Sequence, residues 1–380
     1  MATTSLETVS IHGFRGLRNF RLDGLRRVNV LVGENNSGKT SVLEALSILC
    51  NPGDPHEWVL LARRRDFGGL DETIIQSLRW CFFQNGQTSD LSQPFVGQCE
   101  MSCGGLFTVP RLRISIHDIT GEPDTKRQKR AARRLVEIDV PEFRRGVEMT
   151  HQIDPGGTAL YGESLFPDEM RTETVRIWED EMLFRHRGRR PPALETETLT
   201  PYSYQINRLQ VRRLSASMIH LHRDATMALV KGFDPDVQDV LILSVRGGRP
   251  SIYLSHRRLG MAPLSVFGDA LRRAVLLATT LPTLQKGGLL FMDEIETGIH
   301  VTALSRVFKW LTESAQTLGV QVIATTHSLE AVDALLSGLP NTKDELAAYH
   351  LKQTPERTQV RRFDGDLLAR LRAERGLDVR

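Results

Sequence analysis

The chain has 380 residues, 40% of them hydrophobic and 25% charged, which suits one large soluble domain or two ordinary ones. Its 49 Lys and Arg stand against 46 Asp and Glu, a net charge of +3 that is too even for nucleic-acid binding by the whole surface. No window approaches the roughly 18 unbroken apolar residues of a membrane span. Met1–Glu7 is polar and lacks a secretory signal's apolar stretch, so a cytoplasmic protein with no membrane contact is expected.

The first forty residues predict three short strands, Thr8–His12, Phe20–Leu22 and Val28–Val32, the last rich in β-branched residues. Gly33-Glu34-Asn35-Asn36-Ser37-Gly38-Lys39-Thr40 follows, a complete G-x-x-x-x-G-K-[ST] loop between a strand and the helix Ser41–Leu49. Glycines let main-chain N–H groups turn inward around phosphate oxygens, and the helix N-terminus adds partial positive charge. Gly33, Asn35, Asn36, Ser37, Gly38, Lys39, Thr40 and Ser41 are therefore the predicted ATP-phosphate cradle. Lys39 should reach the β- and γ-phosphates and Thr40 should place its hydroxyl on Mg²⁺.

Further along, Arg79–Phe83 reads as an apolar strand-like run ending at Gln84, and residues 96–116 as a hairpin turning at Cys103-Gly104-Gly105. Cys99 and Cys103 have three residues between them, without a second pair or a histidine cluster. With Cys50 and Cys81 they read as buried or free thiols rather than a zinc site. Residues 119–200 read as a largely helical insertion or lid on the rest. It carries two basic clusters, 126–134 and 185–190, which make nucleic acid a candidate partner beside the commoner solvated, acid-paired face.

Ile206–Lys231 predicts one long helix, and Asp239–Val245 with Pro250–Leu254 a hairpin. Pro263–Asp269 is turn-like and leads into the apolar helix Ala270–Thr280. The strand Gly288–Met292 ends in Asp293-Glu294, an acid pair at the tip of a buried strand. Asp293 would hold the Mg²⁺ shell and Glu294 would polarise an attacking water. A glycine-containing turn, Glu296–His300, comes next. The strand Val320–Ala324 then ends in Thr325-Thr326-His327-Ser328, where His327 stands as a γ-phosphate sensor. No stretch sustains the heptads of a long coiled coil.

These motifs, with Ile11-His12-Gly13-Phe14-Arg15-Gly16-Leu17 at the start, resemble the ABC-type ATPase heads of the SMC, RecF and OLD proteins. They are most similar to compact OLD-like AAA ATPases of bacterial anti-phage defence loci. The resemblance implies a two-lobed α/β ABC-type head with a mixed sheet, formed by 1–118 and 201–380 and decorated by 119–200. It also implies that Pro263–Asp269 stands at the family's signature motif, departing from Leu-Ser-Gly-Gly-Gln by an extra residue and by Asp269 for glutamine. Ser265, Gly268 and the helix start at Asp269 would then present donors to the γ-phosphate held by another copy. Each chain would carry two half-sites, completed in a two-fold pair or larger homo-oligomer.

The family's glutamine beyond the first helix falls on Gln84, as a sensor of Mg²⁺ and water; an exposed polar residue opening a loop is the plainer alternative. Arg15 would touch nucleotide phosphate, or sit as an ordinary surface-turn arginine. Many OLD proteins append a Toprim nuclease domain. The stretch after His327 is too short for one, and Asp364-Gly365-Asp366 reads as a solvated turn. The expected function is an ATP-hydrolysing switch regulating a separate effector, such as a Toprim-type nuclease. A RecF-like DNA-maintenance ATPase and a slow-turnover ATP-bound scaffold are the alternatives.

Overall fold

The computed structural model describes residues 4–64, 73–84, 94–122, 143–158, 170–179, 193–219, 223–284, 286–338, 343–354 and 357–375. The chain divides into two compact units, one from Met1–Thr8, Leu22–Leu43 and Leu194–Arg380, the other from Val9–Arg21 and Glu44–Ala193. Together they make an α/β fold with mixed sheets.

In the first unit, β3 (Val28–Val32), β12 (Leu289–Met292) and β13 (Gln321–Thr325) are buried at every position. Apolar runs without alternation belong to strands covered on both faces, the usual condition of parallel sheets. The sheet order is β15-β14-β3-β13-β12-β8, with β8 at Thr196–Leu199, β14 at Leu346–Gln353 and β15 at Thr358–Asp364. All pairings are parallel except the hairpin β14–β15. Both β3 and β12 pair with β13, so their carboxyl ends emerge at one edge of the sheet, where ligands bind in open parallel sheets. That edge receives the loop after β3, the acids after β12 and the threonines after β13.

Helices α6 (Asp269–Thr280), α7 (Val301–Leu318), α8 (Leu329–Gly338) and α9 (Gly365–Arg375) complete this core. Along α7, Leu304, Val307, Phe308, Leu311 and Ala315 repeat at helical spacing and are all buried. The helix stops where Gly319 takes a left-handed conformation (φ +68) as its cap. A smaller antiparallel sheet, β9 (Val237–Leu243), β10 (Ser251–His256) and β11 (Gly260–Pro263), packs Val237, Ile252 and Leu254 with Leu264, Leu271 and Val275. The single long helix expected over 206–231 is instead two, α4 (Asn207–Ile219) and α5 (Arg223–Phe233). Each sends its own residues, Leu214 from one and Met227 and Val230 from the other, into that smaller core.

The second unit holds a sheet in the order β2-β1-β4-β5-β6-β7, from Phe20–Asp23, Thr8–His12, Val96–Gly104, Val109–Gly121, Arg144–Ile153 and Arg171–Trp178. From β4 to β7 it is an antiparallel meander, and along β4 every second residue is buried while those between are exposed or half-buried. Helices α2 (Pro55–Arg64) and α3 (Ile74–Arg79) belong to it. Trp58 is its largest buried side chain, stacked on Phe82 at 5.3 Å and edge-on to Phe14 at 6.1 Å.

Two expectations change here. Residues 119–200 are not helical where described: β6 and β7 extend the hairpin β4–β5 into a wider sheet, because Val147, Met149, His151 and Ile153 alternate as a buried strand face. The run Arg79–Phe83 is not a strand either. It is the end of α3 followed by a turn, and Phe82 forms only an isolated bridge with Phe14. The basic runs 126–134 and 185–190 lie outside the described residues. The four cysteines are buried and form no disulfide, and burial pushes the Cys103 thiol up to about 12. No helix among the described residues is long and apolar enough to cross a membrane.

Candidate functional site

The loop from β3 into α1 (Lys39–Leu49) is shaped by residues that tolerate unusual backbone angles. Gly33 has φ +146, and a Cβ there would sit 2.4 Å from the Leu351 carbonyl oxygen and 2.9 Å from Ser37 Oγ. Only glycine fits. Asn36 (φ +61) and Gly38 (φ +94) are left-handed, the alternation that turns successive N–H groups to one side as an anion nest. Asn35 and Asn36 are exposed at the rim, and Ser37 and Ser41 are buried beneath.

Lys39, only 4% exposed, donates from Nζ to the carbonyl oxygens of Gly33 (2.7 Å) and Glu34 (2.8 Å), with Ser37 Oγ at 3.4 Å. Burial lowers its pKa, opposed by the negative charges of Asp293, Glu294 and Glu296. Every one of those acids comes from the end of β12 or just beyond it.

The hydroxyl of Thr40 donates to the Asp293 carboxylate, 3.0 Å from Oδ1 and 3.1 Å from Oδ2. Thr325, at the end of β13, donates to the same carboxylate at 2.7 Å. Its Oγ1 also accepts the Glu294 N–H at 2.8 Å. Glu294 is held in a left-handed conformation (φ +49), which costs a non-glycine residue about 1–3 kcal/mol and persists only where neighbours over-determine it. Those neighbours are present. Besides Thr325, Thr297 Oγ1 donates to Glu294 Oε2 at 2.9 Å, and Arg273 Nη2 donates to the Glu294 carbonyl at 2.7 Å.

Glu296 ties this turn to the next. Its Oε2 accepts the Thr326 hydroxyl at 2.8 Å and its Oε1 accepts the His327 N–H at 2.9 Å. Half-buried His327 is thus fixed through its main chain. Nothing local in the sequence marks Arg273, and only the threonine pair ahead of His327 and the acid inside the turn after Asp293 point to Thr325 and Glu296.

The signature-like segment forms a short 3₁₀ turn, Leu264–Val266, then α6 capped by Gly268. Ser265, Val266, Gly268 and Asp269 are exposed. A Cβ on Gly268 would meet nothing within 4 Å, so this chain itself does not require glycine there. The Asp269 carboxylate is already engaged, accepting Tyr204 OH and Arg272 Nη1, both at 3.1 Å.

Arg15 and Gln84 belong to the second unit. Arg15 Nε lies 2.8 Å from Glu44 Oε2, a charge contact without hydrogen-bond alignment, in a left-handed turn (φ +48). Gln84 donates its amide to the carbonyls of Arg79 (2.8 Å) and Phe82 (3.1 Å), closing the end of α3. Each has a local structural role. Asp234, Asp236 and His256 also cluster at metal-ligand spacing. However, His256 Nδ1 accepts the Arg258 and Leu259 N–H groups, leaving Nε2 to donate to Asp234, and Asp236 pairs with Arg258. Those groups satisfy one another.

Thr40 and Asp293 offer hydroxyl and carboxylate oxygens at one point, the hard-oxygen donor set that suits Mg²⁺ together with phosphate. They would hold such an ion, and its charge would neutralise phosphate oxygens.

Comparison with known proteins agrees with this chemistry. The "AAA ATPase domain" family matches residues 5–93. A second family, described as "AAA domain, putative AbiEii toxin, Type IV TA system", matches residues 157–333. The two matches take in the loop before α1 and the acids and histidine after β12 and β13, and they support ATPase activity. MJECL10 of Methanocaldococcus jannaschii is 30% identical over 96 residues, 24% of this chain and 42% of that protein. An ATP/GTP phosphatase of Helicobacter pylori is 39% identical over 44 residues, 12% of each chain. The chain thus matches less than half the length of these relatives. A solved SMC head bound to the C-winged helix domain of ScpA aligns over 94% of this chain and 98% of its own, at 11% identity and a TM-score of 0.49.

Proposed function

We propose that this chain is a Mg²⁺-dependent ATPase head that closes as a two-fold pair around two ATP molecules and works as a switch. The observation that carries the proposal is the meeting of Thr40 with Asp293, beside buried Lys39 and the strained Glu294. Phosphoryl transfer needs positioning and neutralised charge more than covalent chemistry. The N–H groups of the loop and the Lys39 ammonium bind the β- and γ-phosphates. The Glu294 carboxylate takes a proton from water as its oxygen attacks the γ-phosphorus and the bond to the leaving ADP oxygen breaks. His327 orients the γ-phosphate.

The pairing rests on the signature-like segment. Ser265 and Gly268 are exposed, Gly268 is unobstructed by its own chain, and the two lie in the turn and cap that lead into a twelve-residue helix. Donors so placed suit a phosphate brought by a second copy. We further propose that closing and opening regulate a separate effector, such as a Toprim-type nuclease, in bacterial anti-phage defence. The toxin–antitoxin description of the family matching 157–333 fits a head that works with a second component.

Mixing two inactive variants tests the composite site. Lys39→Ala destroys one half-site and Gly268→Asp the other. If the halves combine across copies, random pairing restores about a quarter of the wild-type sites. Phosphate release by the mixture should then exceed the sum of the two variants alone. A mixture no faster than that sum would exclude the pairing.

A further inference from the structure

Arg273 occupies the second turn of α6, the helix that Gly268 caps. Its side chain is 4% exposed and lines a small cavity with Leu199, Met292, Ile299 and Val307, an apolar setting for a guanidinium. Buried arginines normally meet a carboxylate fork to fork. This one does not. Its Nη2 donates to a main-chain carbonyl, that of Glu294, at 2.7 Å, and its Nη1 is buried with no hydrogen-bond partner. Burial lowers its pKa to about 10, with Glu296, Glu294 and Asp293 acting in the opposite direction, so the group stays charged at neutral pH.

The position of the contact is informative. The backbone of Glu294 is left-handed, and its N–H, side chain and carbonyl are each tethered from a different place: Thr325 at the end of β13, Thr297 in the following turn, and Arg273 on α6. Only the last tether comes from the signature helix. The turn itself lies close over that helix, since a Cβ on Gly298 would be 3.7 Å from Asp269 Cβ and 3.9 Å from Arg273 Cδ.

We propose that Arg273 is a positioning residue that makes the aim of the Glu294 carboxylate depend on the position of α6, so that engagement at the N-terminus of α6 sets the hydrolysis rate in the same chain. This rests on the reading of Glu294 as the group that polarises water. In a closed pair, α6 of each chain would touch the nucleotide held by its partner, while Glu294 would act on its own. Arg273 would therefore link the two sites, making hydrolysis at one responsive to occupancy of the other.

The test compares Arg273→Met, which removes both charge and donors, with Arg273→Lys, which keeps charge and one donor at a shorter reach. Nucleotide affinity, kcat, KM and the Hill coefficient for ATP are measured on each folded full-length protein. A 1 Å error in placement can cost about a hundredfold in rate. The expected result is a kcat lowered about 10- to 100-fold in Arg273→Met and less in Arg273→Lys, with ATP affinity within about threefold of wild type and the Hill coefficient falling towards 1. If Arg273→Met does not fold, the same split in Arg273→Lys decides the question. Unchanged kcat and Hill coefficient, or affinity lost in step with kcat, would overturn the inference. A wild-type ATPase indifferent to Glu294→Gln would instead overturn the reading beneath it, so the two failures are distinguishable.

Discussion

The Thr40 hydroxyl and the Asp293 carboxylate lie 3.0 Å apart across 253 residues of sequence. One lies in the first turn of α1 after β3 and the other just follows β12, and both strands run parallel to β13 between them. Asp293→Asn keeps the shape and removes the charge that would hold a divalent cation. It should raise the Mg²⁺ concentration needed for half-maximal phosphate release by at least about tenfold. Thermal stability should change little, because an amide oxygen can still accept from Thr40 or Thr325. A magnesium titration of both proteins checks it; coincident curves would count against the assignment.

Two glycines should respond in opposite ways to alanine. Gly33→Ala forces a Cβ to within 2.4 Å of a carbonyl at φ +146 and should destabilise the fold by more than about 2 kcal/mol. Gly268→Ala meets nothing within 4 Å at φ −63, so it should cost less than about 1 kcal/mol, the scale of an altered helix cap. It should nonetheless slow hydrolysis about tenfold or more, by obstructing what approaches from outside the chain. Thermal melts beside phosphate-release assays separate the two cases.

Glu296→Gln leaves one oxygen where two acceptors now hold Thr326 and His327. Weakening that clamp should lower kcat about tenfold while KM stays within about threefold, since the phosphate cradle is untouched. A rise in KM alone would assign Glu296 to binding instead.

His151 is buried at 1% exposure beside Trp58, and its Nε2 has no hydrogen-bond partner. Burial lowers its pKa from 6.5 to about 4. The unfolded chain therefore binds the proton first. Its contribution is fully present above pH 6.5 and lost as pH falls towards 4, by at most about 3 kcal/mol. Denaturant titrations across that window should show a steeper acid loss for wild type than for His151→Leu; parallel slopes would contradict it.

Much of this site could be read from sequence because its signals are local. Gly33, Gly38, Lys39 and Thr40 act within one loop, and apolar strands ending in Asp293-Glu294 and Thr325–His327 mark their own boundaries. What sequence did not show are the tethers between those segments. Nothing near Arg273 indicates that its guanidinium reaches the Glu294 carbonyl, and Glu296 differs from a surface acid only through a turn 31 residues away in sequence. Gln84, to which the family resemblance points as a metal sensor, gives its amide to the carbonyls freed at the end of α3, a contact that no local pattern announces. Over 119–200 the charged runs obscured the alternation of β6, whose inward Val147, Met149 and His151 are visible only once paired with β5 and β7.

The most direct measurement pairs ATP binding with phosphate release in wild type, Lys39→Ala and Glu294→Gln. Removing the ammonium should abolish binding, whereas removing the carboxylate's basicity should leave ATP bound and slow release at least about a hundredfold. Near-equal, wild-type release by all three proteins would contradict a catalytic centre made from the loop after β3 and the acids after β12.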